Sequence, residues 1–178
     1  MNDDDFCVVL PAYREEAKIG SVVRGALEYC RNVVVVDDGS DDDTALRADE
    51  AGAVVLKHTH NKGKGAALAT AFKYVQEKGY AFVITMDADG QHDPQDCKVF
   101  ADACREGVCD VLIGNRMGHT ENMPWVRRMT NRYMSWLLSR KMGRHVADTQ
   151  CGYRLYSAKV LPLLQSGAAR FAAESEAL

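Results

Sequence analysis

FCVVLPAYREEAKIGSVVRGALEYCRNVVVVDDG, residues 6–39, decides the fold class. Phe6–Leu10 is a short apolar run ending at Pro11, and Asn32–Val36 is another ending at Asp37 and Asp38, so both read as buried strands that stop at polar loops. Between them, Glu15–Tyr29 places Ile19, Val22, Val23, Ala26 and Leu27 at helical spacing. Strand, helix and strand in that order supply the crossover that parallel pairing requires. The alternation continues with a helix over Asp43–Glu50, a strand over Ala53–Leu56, a helix over Gly65–Glu77, a strand over Tyr80–Met86, a helix over Gln95–Arg105 and a strand over Val108–Ile113. The expectation is an α/β domain whose mostly parallel central sheet carries helices on both faces.

Length and composition narrow the function classes. A chain of 178 residues without an internal composition break reads as one domain, 1–178, with a substantial core. Its 47% hydrophobic and 26% charged residues exclude a disordered or fibrous chain. No apolar run approaches the roughly 20 residues that span a bilayer. The acidic start at Met1–Phe6 is unlike a signal peptide, so the expected location is cytoplasmic, at the cytoplasmic face of a membrane. The six cysteines contain no CxxC pair and read as reduced, buried thiols. His58 and His60 lack two further ligands at zinc spacing.

The net charge of −3 hides an asymmetry. Glu121–Arg154 holds seven basic residues against two acids, a local +5 that leaves −8 elsewhere. Such a region meets anions. Nucleic acid is not the expected partner, because the chain is acidic overall and carries no reader motif.

In open α/β sheets ligands bind beyond the carboxyl ends of the strands. Five polar clusters follow strands here and are expected on one rim: Tyr13 and Glu15; Asp37 and Asp38; Asn61–Gly65; Asp87–Asp93; and Asn115 with Arg116. The strongest is Ile84–Pro94, ITMDADGQHDP, where Asp87 and Asp89 leave the end of a strand separated by one small residue. Two such carboxylates suit Mg²⁺ or Mn²⁺, with a diphosphate completing the oxygen shell. Asp38 is placed to accept from a base N–H or a ribose hydroxyl, whereas Asp41–Asp43 suit the start of the next helix. In Asn61–Gly65, glycine-flanked Lys62 and Lys64 precede a helix and suit a diphosphate. The glycine spacing there is that of neither a P-loop nor a dinucleotide fingerprint.

VVLPAYREEAKI, VVVVDDGSDDDT, NKGKGAALATAF, ITMDADGQHDP, IGNR and DTQCGYRLYS occur in that order over nearly the whole chain. Together they resemble family 2 glycosyltransferases of the GT-A fold, within the branch of dolichyl-phosphate mannosyltransferases and polyprenyl-phosphate glycosyltransferases. The resemblance implies that Pro11, Tyr13 and Glu15 hold the nucleotide and Asp38 its base or ribose. It also implies that Asp87, Asp89 and Gln91 surround the metal, with Ala88 against the nucleotide. Arg116 would meet phosphate, and Asp148 would line the acceptor side. FAAESEAL, residues 171–178, looks like the start of the family's F-x-x-E-x-E-x-L segment. The family continues beyond it, often into membrane helices, so the domain is expected to be truncated at its C-terminal end.

Pro124–Met142 reads as an amphipathic helix with Arg128 and Arg132 toward one side and Trp125 and Trp136 as interfacial rings. The implied reaction is inverting displacement at the anomeric carbon of a GDP- or UDP-sugar by a polyprenyl phosphate, with peripheral membrane contact. A lipid phosphate is already anionic and needs orientation more than a base. Were the acceptor instead a glycan hydroxyl, Asp148, Glu174 or Glu176 would have to take its proton. A non-catalytic nucleotide-sugar binding module is the third reading. A sugar-1-phosphate nucleotidyltransferase would need a glycine-rich loop where PAYREE stands, and a nicotinamide oxidoreductase would need GxGxxG there.

Overall fold

Alternate residues of the first strand enter different cores, which is why an unbroken apolar run is required there. In β1 (Phe6–Ala12), Phe6, Val8 and Leu10 join one buried cluster, while Cys7 and Val9 join the other. Val33 and Val35 of β2 (Val33–Asp37) face the first cluster, and Val34 and Val36 the second. Each fully buried side chain of this size contributes about 1.5–3 kcal/mol. The computed structural model describes residues 5–105, 110–114, 136, 140 and 151–164.

The remaining elements are α1 (Ile19–Leu27), α2 (Thr44–Glu50), β3 (Val54–Lys57), α3 (Lys64–Lys78), β4 (Phe82–Thr85), α4 (Asp96–Arg105), β5 (Val111–Ile113) and β6 (Arg154–Ser157). The sheet order is β3-β2-β1-β4-β6-β5, parallel except for β6, which runs antiparallel to both β4 and β5. Ala26, Ala48 and Phe100, from α1, α2 and α4, cover one face; Ala67, Phe72 and Val75 of α3, with Leu161, cover the other.

Two differences from the expected elements have local causes. The first helix begins at Ile19 and not Glu15, because residues 15–18 turn ahead of it and the Glu15 amide donates to Thr44 Oγ1 at 2.8 Å. β6 was not expected, and it separates β4 from β5. Tyr153, just before it, fills the core against the rings of Phe100 and His92, with both centroids 5.0 Å away.

The sheet opens where β1 and β4 part. Their ladder ends with the Met86 amide donating to Val9 O at 3.1 Å, while β1 stays paired with β2 as far as Ala12 and Asp37. Pro11 takes the next position of β1 that points toward β4, where a missing N–H costs nothing because the partner strand has ended. From β1 the chain runs outward through β2 and β3 on one side and then returns to β4 on the other, so the cleft is the topological switch point of the sheet.

Among the described residues, no helix is long and apolar enough to cross a membrane. Among the described residues, Cys7, Cys30, Cys97, Cys104 and Cys151 are buried and form no disulfide. Burial pushes the Cys97 thiol up to about 11, so it stays protonated at neutral pH.

Candidate active site

Four of the five expected clusters meet at this cleft. Pro11, Tyr13 and Glu15 from the end of β1, Asp38 from β2, Asn61, Gly63 and Lys64 at the start of α3, and Asp87, Ala88 and Asp89 from β4 line a cavity of about 390 Å³. A second cavity of about 150 Å³ adjoins it, sharing Pro11, Lys64 and Asp87 and adding Gly152, Arg154 and Tyr156 from the β6 side. Arg116 and Asp148 lie outside the described residues, as do Asn115, Glu174, Glu176 and all of the 124–142 segment except Trp136 and Arg140. Arg140 stacks over the exposed Trp136 ring at 5.7 Å.

Asp38 is buried, and its carboxylate is turned inward. Oδ1 accepts from the Lys62 amide at 3.0 Å and lies 2.6 Å from His58 Nδ1; Oδ2 accepts from the Gly63 amide at 2.7 Å. His58 Nε2 lies 2.9 Å from Thr70 Oγ1 on α3. The aspartate expected to read the base therefore pins the 58–63 loop against the rim, and the pinned loop forms one wall of the cavity. Gly39 makes this crossing possible. Its φ is +74°, and a Cβ there would stand 2.6 Å from His60 Cα and 2.7 Å from Asn61 N. Backbone cannot swing aside as a side chain can, so Gly39→Ala is expected to lower stability by about 2–3 kcal/mol, read as a lower denaturant midpoint at unchanged slope.

Asp41–Asp43 precede α2 as expected. Asp42 Oδ1 accepts from the Thr44 amide at 3.0 Å, and the Asp43 amide donates to Glu16 at 3.1 Å. Asp41 instead forms an exposed bidentate pair with Arg14, with both contacts at 2.7 Å. Arg14 is the one non-glycine residue with positive φ, at 55°, among the described residues.

Asp87 is held from three sides. The Lys64 ammonium contacts Oδ1. The buried His92 Nε2, which has no hydrogen-bond partner, lies 3.5 Å from Oδ2. Gly152 packs so closely that a Cβ there would stand 2.6 Å from Asp87 Cγ. Burial pushes the Asp87 carboxyl up, but His92 and Lys64 more than offset it and hold the group well below the usual carboxylate range. Sequence reasoning missed both His92 and Gly152. The imidazole lies inside a motif already read for its aspartates, and the glycine is 65 residues away in sequence.

Asp87 and Asp89 are hard oxygen donors on one cavity, which suits Mg²⁺ or Mn²⁺. The carboxylate of Asp87 sits in a cradle that any side chain at 152 would fill, backed by an imidazole nitrogen with no other partner. Among the described residues no three His, Cys, Asp or Glu side chains converge as a metal cage. The set therefore fits an ion that arrives with, or is completed by, diphosphate oxygens. Gln91 is exposed and does not line the cavity; its amide donates to Asp89 Oδ1 at 3.0 Å, which orients that carboxylate.

The family model described as glycosyl transferase family 2 matches residues 7–163. Among curated relatives, the UDP-N-acetylglucosamine–dolichyl-phosphate N-acetylglucosaminyltransferase of Methanococcus voltae is 31% identical over 201 residues, covering 100% of this chain and 80% of that protein. The polyprenol monophosphomannose synthase of Mycolicibacterium smegmatis is 34% identical over 169 residues, covering 86% and 62%. Among solved structures, the glucosyl-3-phosphoglycerate synthase of Mycobacterium tuberculosis, crystallised with Mn²⁺, UDP-glucose and phosphoglyceric acid, superposes with a TM-score of 0.69 at 25% identity. That match covers 87% of this chain and 57% of the synthase, so the chain spans little more than half of the solved enzyme.

Proposed function

Since the chain belongs to glycosyl transferase family 2 and has the GT-A fold, we propose that it is the nucleotide-sugar and metal-binding part of an inverting enzyme that glycosylates a polyprenyl phosphate. One observation carries this reading: a single cavity at the switch point is lined by Pro11, Tyr13 and Glu15 from the end of β1, by Lys64 at the start of α3, and by Asp87 and Asp89 after β4. Those side chains supply in one place what a GDP- or UDP-sugar needs: a surface for the nucleoside, a cation for the diphosphate and carboxylates for its metal. The names of the Methanococcus and Mycolicibacterium relatives support a polyprenyl phosphate as acceptor.

In the proposed reaction an acceptor phosphate oxygen forms the new bond at the anomeric carbon, and the bond to the nucleoside diphosphate breaks on the opposite face. Mg²⁺ or Mn²⁺, when bound, supplies charge neutralisation for the departing diphosphate. Asp87 and Asp89 hold that charge in place, and Lys64 adds a cation at the helix start. The Lys62–Gly63 backbone, pinned by Asp38, keeps the donor wall fixed before binding. Arg116 orients the acceptor phosphate, and Asp148 lines its approach. The basic 124–142 segment rests on anionic headgroups at the cytoplasmic face.

The test uses the full-length protein, with transfer from UDP- and GDP-sugars to a polyprenyl phosphate in vesicles containing phosphatidylserine. Arg128→Glu with Arg132→Glu is expected to weaken vesicle binding and slow transfer severalfold, with donor affinity near normal. Raising salt should mimic the vesicle effect, because surface attraction is screened beyond about 8 Å at physiological ionic strength. Full vesicle binding and full transfer by the double variant would reject the membrane role of this segment.

A further inference from the structure

The carboxylate proposed to take the metal already has a cation on it. Lys64 contacts Oδ1 of Asp87, while Oδ2 faces His92 Nε2 at 3.5 Å. The two basic partners differ in freedom. The His92 side chain is only 4% exposed and stacks against Tyr153, whereas the Lys64 side chain is 55% exposed on a flexible stem. Lys64 is the first residue of α3, directly after Gly63 at φ +88°. Lys64 and Asp87 both line the two adjoining cavities, so open space adjoins the pair.

From this arrangement we infer that Lys64 is an internal counter-cation that occupies Asp87 in the ligand-free protein and moves to the donor diphosphate when a divalent ion takes its place. The inference rests on the carboxylate-pair reading of the site and adds a coupling to it. A divalent ion arriving alone must displace an ammonium and then sit beside it, with two like charges in a half-buried cleft. A nucleoside diphosphate arriving alone finds the ammonium engaged by Asp87. When both bind, the ion takes the carboxylate and the diphosphate takes the ammonium, and every charge is paired. Each ligand therefore tightens the other, and by linkage the two factors are equal.

The experiment follows binding in the full-length protein without turnover. Free Mn²⁺ is measured by its electron paramagnetic resonance signal during titration, with and without UDP or GDP, and calorimetry gives nucleotide affinity in EDTA. For the unaltered protein, nucleotide is expected to tighten Mn²⁺ about tenfold or more. Lys64→Met should tighten Mn²⁺ alone severalfold, weaken the nucleotide in EDTA, and bring the coupling close to one. Lys64→Arg, which keeps the charge, should preserve most of the coupling. If Lys64→Met left Mn²⁺ binding alone unchanged or weaker, while Asp89→Asn abolished it, the exchange would be refuted and the metal site would stand. If Asp89→Asn left Mn²⁺ binding intact, the carboxylate pair would not be the metal site, and both readings would fall.

Discussion

Gly152→Ala is expected to abolish metal-dependent donor binding in a protein that still folds. The added methyl would stand 2.6 Å from Asp87 Cγ, well inside contact distance. The carboxylate is a side-chain end and can be pushed aside, so the damage falls on its aim and not on the sheet. Moving one of two protein carboxylates out of position should cost roughly 100-fold or more in Mn²⁺-dependent affinity for a nucleoside diphosphate, with stability changed by about 1 kcal/mol. Calorimetry with and without Mn²⁺, paired with a thermal melt, separates the two. Asp89→Asn should reproduce the binding loss without adding a methyl. A Gly152→Ala variant with normal Mn²⁺-dependent affinity would mean that Asp87 does not hold the ion.

Asp38→Ala should cost both stability and nucleotide affinity, and the pairing of the two losses is informative. Removing the carboxylate takes the acceptor from His58 Nδ1 and the Lys62 amide and leaves the Gly63 amide only Asn61 Oδ1, at 3.0 Å. A buried unsatisfied donor costs about 1–3 kcal/mol, and the loop will relax toward water, so a net loss of about 3 kcal/mol is expected. For a domain of this size that lowers Tm by roughly 6–12 °C. Nucleoside monophosphate binding in EDTA should weaken about tenfold or more, because one wall of the cavity is released. An aspartate that only read the base would lose affinity at unchanged Tm, and that result would return Asp38 to direct recognition.

The α/β class and the four rim clusters were legible because each depends on local pattern. An apolar run ending in PAY, DDG or DAD marks where a buried strand meets solvent, and strand ends in a parallel sheet share one rim. What the pattern did not carry is long-range. RLYS, residues 154–157, follows a long stretch without strand signals, and nothing local says that it inserts between two earlier strands. The same separation hid Gly152, whose importance is the space it leaves for Asp87. Asp38 was recognisable as a site residue, but its partners lie 20 to 25 residues downstream, so its inward-facing role had no sequence signature.

The parting of β1 from β4 above Val9 and Thr85 divides the sheet mechanically. Below that last rung, β3-β2-β1 and β4-β6-β5 are hydrogen-bonded into one sheet; above it, their tips are two prongs that no strand pairing joins. A donor seated between them would touch Tyr13 and Glu15 on one prong and Asp87 and Asp89 on the other, bridging a seam that the backbone leaves open. The nucleotide sugar would thus serve as a crossbar as well as a reactant, stiffening the rim against which an acceptor must be aimed.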